Sequence, residues 1–90
     1  MPGPVTNEDA VSLALQALVW TLNEPDRADR LLAVTGLDPD DLRSRVGEPA
    51  VLSAAQGFLE GYEPDLIACA AALGVSPQAL VAAHYRLEQA

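Results

Sequence analysis

A chain of 90 residues, half of them apolar, has material for one domain with a modest core and needs no staples to hold it. Thirteen carboxylates against five arginines and no lysine leave a net charge of −8, which opposes nucleic acid and anionic membranes as partners. The one cysteine, Cys69, has no internal disulfide partner, no apolar run reaches the roughly 18 residues of a membrane span, and the N-terminus lacks a signal peptide's basic and apolar stretches, so a cytoplasmic protein is expected.

Five X-Pro pairs, Glu24-Pro25, Asp38-Pro39, Glu48-Pro49, Glu63-Pro64 and Ser76-Pro77, punctuate the chain. Each reads as a helix start, because the residue before proline avoids the α region while proline itself fits the first helical position. Residues 1–5 are expected to be a flexible N-terminus and residues 6–90 a single all-helical domain. The first helix should open at Thr6, with Asp9 at capping-box spacing, and run to about Asn23. It carries two apolar rows, Val11, Leu15, Leu18 and Leu22 in one and Leu13, Ala17 and Trp20 in the other, with only a narrow polar strip of Ser12, Gln16 and Asn23.

A second helix is expected over 25–35, stopped by Gly36 in a left-handed conformation. A third, over 39–46, has Asp38 as cap, Leu37 and Leu42 at staple spacing and Gly47 as its end. The fourth, over 49–60, aligns Val51, Ala55, Phe58 and Tyr62 on one stripe with Leu52 and Leu59 beside it; Gly57 is a weak point inside it. The fifth, over 64–73, is apolar from Leu66 to Leu73 and reads as the buried central helix of the bundle. Gly74 ends it. Ser76 caps a sixth helix at Pro77, whose core face is Leu80, Val81, Ala83 and Leu87. The fold class is therefore all-α, a compact bundle of five to six short helices. Glu24-Pro25-Asp26 recurs as Glu63-Pro64-Asp65, and Gly36-Leu37-Asp38-Pro39 as Gly74-Val75-Ser76-Pro77, which suggests two pseudo-symmetric three-helix halves.

The run Leu31-Leu32-Ala33-Val34-Thr35-Gly36-Leu37-Asp38-Pro39-Asp40-Asp41-Leu42, followed by Phe58-Leu59 and the turn from Gly74 to Leu80, resembles the domain of unknown function 3572 family. The resemblance covers nearly the whole chain and implies a small bacterial helical protein. It brings no activity, substrate or site residue with it.

Ten of the thirteen carboxylates, Glu8, Asp9, Glu24, Asp26, Asp38, Asp40, Asp41, Glu48, Glu63 and Asp65, fall at or within the first turn of an expected helix. There they complement the helix dipole, so capping accounts for the acidity better than imitation of nucleic-acid phosphates does. Asp38-Pro39-Asp40-Asp41 lacks the alternating ligands, central glycine and distal glutamate of a calcium loop, and no metal is expected. Cys69 and His84 are the only candidates for a nucleophile and base, and the alanines around Cys69 would suppress its thiolate. No phosphate loop or nucleophile elbow is present, so neither an enzyme nor a cofactor is expected. The stretch from Ala70 to Val81 resembles a helix-turn-helix, but with Arg86 the sole cation on its second helix it reads as a packing device.

What remains is an apolar surplus. Leu13, Ala17, Trp20, Phe58 and Tyr62 form a candidate interaction surface, since aromatic side chains anchor interfaces, although Trp20 alone could equally fill the bundle centre. The expected function is a non-catalytic protein-interaction or self-associating module, with a protein partner or homodimer as occupant of that surface. The alternative is an acidic inhibitor or nucleic-acid mimic of a basic partner.

Overall fold

The computed structural model describes residues 7–89; the Thr6 cap and the N-terminal five residues lie outside that range. Six helices follow one another: α1 (Asn7–Leu22), α2 (Pro25–Thr35), α3 (Pro39–Ser44), α4 (Pro49–Glu60), α5 (Glu63–Leu73) and α6 (Pro77–Gln89). There is no strand among the described residues. The radius of gyration is 12.2 Å, close to the value of about 12 Å for a folded chain of this length.

Helix starts and stops follow the expected chemistry. A proline is the first residue of α2, α3 and α4 and the second of α5. Asp38 Oδ1 accepts from the Asp41 N–H at 2.8 Å, and Ser76 Oγ accepts from the Ala79 N–H at 3.1 Å. Gly36 and Gly74 both sit at φ 73°, and each turns its chain off a helix with its own N–H bonded back to a helix carbonyl. The third helix ends earlier than its glycine suggests. It stops at Ser44, and the chain leaves through a turn in which the Glu48 N–H donates to the Arg45 carbonyl, while Gly47 has no positive φ.

The core lies among α1, α4 and α6, which pack mutually. On α1 the buried row is Ala10, Ala14, Ala17, Leu18 and Thr21, not the two rows of larger side chains that the sequence suggests. Small side chains let α4 and α6 approach closely, whereas Val11, Leu13, Leu15 and Trp20 flank the seam and Val19 is exposed. Thr21 tolerates burial because its hydroxyl donates to the Ala17 carbonyl at 2.9 Å.

The fifth helix is not central. It buries Leu66, Cys69 and Ala70 on one side and exposes Ile67, Ala68, Ala71 and Ala72 on the other. Its alanines raise its apolar content without demanding cover, which is why composition alone overstates its burial. On α6, Leu80, Ala83 and Leu87 are buried but Val81 is exposed.

The internal repeat has a structural counterpart in part. α1 contacts α2 and α4 contacts α5, and α2 meets α4 while α5 meets α1. The correspondence ends at α3, which is 6 residues long and buries only Leu42, against 13 residues and three buried side chains in α6.

Candidate functional site

The fourth helix has two working faces. Its core face buries Val51, Leu52, Ala55, Phe58 and Leu59. Its outer side passes between α2 and α6, and Gly57 lies there, exposed. On the α2 side, Arg30, Val34, Phe58 and Tyr62 line a shallow apolar groove of about 320 Å³, with Gly57 and Gly61 in its wall. That volume is at the lower end of small-ligand sites, at about 300–1,000 Å³. Val34 is 70% exposed and Tyr62 50%, large values for two side chains that line one groove. Arg30 frames the rim: its guanidinium lies 5.7 Å from the Phe58 ring centre and 5.5 Å from that of Tyr62, and its Nη2 donates to Asp65 Oδ2 at 3.0 Å.

On the α6 side of the same helix, His84 sits between two residues of α4. Its Nδ1 is 2.6 Å from Glu60 Oε2 and its Nε2 is 2.9 Å from Ser53 Oγ. An ionised carboxylate can only accept, so Nδ1 carries the proton and donates to Glu60. In the neutral ring Nε2 is then an acceptor, and the Ser53 hydroxyl donates to it. Glu88, one turn along α6, brings a second carboxylate to 3.6 Å from Nε2, outside hydrogen-bond range. The imidazole is 17% exposed and Ser53 is half-buried. Gly57 joins the two faces, for a Cβ built there would stand 4.0 Å from His84 Cε1.

Cys69 and His84 are not brought together as a nucleophile and base. The thiol is fully buried, and burial, only partly offset by Arg27, pushes its pKa from 9.0 up to about 11. The histidine instead takes Ser53 and Glu60, neither of which stands out in the sequence. A signal was nevertheless available. The ten carboxylates assigned to helix starts are all found at caps or in first turns. Of the three left over, Asp29, Glu60 and Glu88, two flank His84.

The expected interaction residues are dispersed. Ala17 and Phe58 lie in the core at 1% and 8% exposure, so neither offers a broad surface. Leu13 is half-buried against the core. Trp20 is covered by Arg27, whose guanidinium stacks 3.7 Å from the ring centre. Only Tyr62 is open, and it belongs to the α2–α4 groove. A second apolar cleft of about 320 Å³, walled by Leu22, Leu32, Leu42 and Val46 with Arg43 at its edge, lies against α3.

Among the described residues no group of three or more His, Cys, Asp or Glu side chains is placed to hold a metal ion, and no single helix is long and apolar enough to cross a membrane. Neither a curated protein nor a solved structure matches the chain. A family model described as a protein of unknown function, DUF3572, matches residues 7–90, nearly the full length, and the chain belongs to that family.

Proposed function

We propose that the protein is an interaction module whose α2–α4 groove receives an apolar segment of a partner protein flanked by basic residues. The observation that carries this reading is the exposure of Val34 and Tyr62, each half or more, in the lining of a groove that Gly57 and Gly61 also line. Exposed apolar side chains set together favour a partner, because covering them releases water at about 25 cal/mol per Å². Tyr62 adds an amphipathic anchor with a polar tip.

Charge selects the kind of partner. The chain carries −8, and Asp29, one turn before Ala33 on α2, and Glu63, next to Tyr62, are both exposed. Basic flanks on the incoming segment would meet these carboxylates, whereas a second copy of the same chain would bring like charge to the groove.

The test is capture from a native lysate with photo-crosslinkers at Val34 and Tyr62, repeated with Val34→Glu and Tyr62→Glu variants whose helix content is unchanged. The expected product is one crosslinked segment, apolar with Lys or Arg on either side, lost in both variants. Crosslinks to a second copy, or capture indifferent to both variants, would overturn the reading.

A further inference from the structure

We infer that Ser53 is an activated nucleophile that accepts an acyl group from an activated carboxylic ester, with His84 as its base and Glu60 as the group that positions His84. Three features of the geometry carry this beyond partner docking. The hydroxyl, the imidazole and the carboxylate stand in series at 2.9 Å and 2.6 Å, which is the relay of nucleophile, base and orienting acid used for acyl transfer on unrelated folds. With the Glu60 carboxylate at Nδ1, the neutral ring directs its Nε2 lone pair at the serine. The imidazole is 17% exposed and Ser53 is half-buried, so the pair can be reached from solvent.

An interhelical clamp with no chemistry also explains a histidine bonded at both ends, and a clamp predicts an inert serine. The two readings therefore separate on reactivity. In the reaction, Ser53 Oγ bonds to the carbonyl carbon as its proton passes to Nε2. The imidazolium is held at Nδ1 by the Glu60 carboxylate. The bond from the carbonyl carbon to the leaving oxygen then breaks, Nε2 returns the proton to that oxygen, and the products are an ester on Ser53 and a free alcohol or phenol. No electrons are exchanged with any other reagent.

The probe is p-nitrophenyl acetate. Intact-mass and peptide mapping should find one acetyl group on Ser53, formed faster than at Ser12 and Ser44, which are more exposed but stand beside no histidine. Glu60→Gln should slow this acylation by about 10²-fold or more, since loss of the orienting carboxylate impairs the base. Ser53→Ala should remove the adduct while leaving the circular dichroism unchanged. Labelling of Ser53 no faster than of Ser12 and Ser44 within the wild-type chain would overturn the inference without recourse to any variant, and equal rates in a folded Glu60→Gln protein would do the same.

Discussion

Arg27 reaches back from α2 to Trp20 on α1, stacking its guanidinium 3.7 Å from the indole centre while Nη2 donates to the Trp20 carbonyl at 2.7 Å. Nη1 pairs at the same time with Glu24 at 2.6 Å, so one side chain covers the tryptophan, satisfies a carbonyl at the end of α1 and fixes the α1–α2 corner. The arginine side chain is only 14% exposed, so its contacts to Trp20 are little screened by solvent, whereas Glu24 is 52% exposed and its ion pair is screened. Arg27→Ala should destabilise the protein by about 1–3 kcal/mol. Arg27→Lys should recover only a small part, because an ammonium cannot stack and fork at once. Urea denaturation followed by the fluorescence of the lone tryptophan measures both; unchanged midpoints would show that the corner stands without the arginine.

Gln56 is the polar flaw in the core. It is 1% exposed on the core face of α4, and neither its amide nitrogen nor its oxygen has a hydrogen-bond partner. A buried unpaired polar group costs about 1–3 kcal/mol. Gln56→Met, close in volume and without hydrogen-bonding atoms, should therefore raise stability by about 1–2 kcal/mol. A lower denaturation midpoint in that variant would mean that the amide makes a stabilising contact the fold depends on.

Gly36 and Gly74 close helices α2 and α5 in the left-handed region, and at neither does an added Cβ meet another atom within 4 Å. The cost of a side chain there is thus backbone strain alone. Gly36→Val should lower stability by about 1–3 kcal/mol, with Gly36→Asn milder, since asparagine tolerates this region. Gly57→Ala inverts the logic: it lies inside α4, has ordinary clearance to His84, and should add about 0.5–1 kcal/mol by helix propensity. Thermal melts of the three variants should order them with Gly57→Ala above wild type and Gly36→Val below it.

The helix boundaries were legible because proline and glycine act locally. Glu24-Pro25 and Gly36 bracket α2 as expected, and Asp38 and Ser76 cap where their spacing says. Burial was less legible, since it depends on which helices meet. The Ala10, Ala14 and Ala17 row looks bland beside the leucines of α1, yet it is buried in the core, while the apolar α5 exposes about half its side chains. The His84 cluster was hidden for a similar reason. Ser53 and Glu60 share a helix face at a spacing of seven, but their partner lies 24 residues beyond Glu60, and only the α4–α6 packing joins them.

Cys69 gives the fold a pH dependence of its own. The thiol is wholly enclosed, and loss of hydration raises its pKa from 9.0 to about 11, with Arg27 opposing the shift and Asp65 adding to it. Below pH 9 the thiol is protonated in both the folded and the unfolded chain, and the full stability is present. As pH rises from 9 towards 11, the unfolded chain loses its thiol proton while the folded chain keeps it, so the unfolded state is favoured and stability falls. A shift of that size is worth about 2–3 kcal/mol at most. Cys69→Ala should flatten the fall. Denaturation midpoints of the two proteins at pH 8, 9.5 and 11, values chosen to bracket about that window, test this directly. Parallel curves would mean that the thiol ionises as readily inside the fold as outside it.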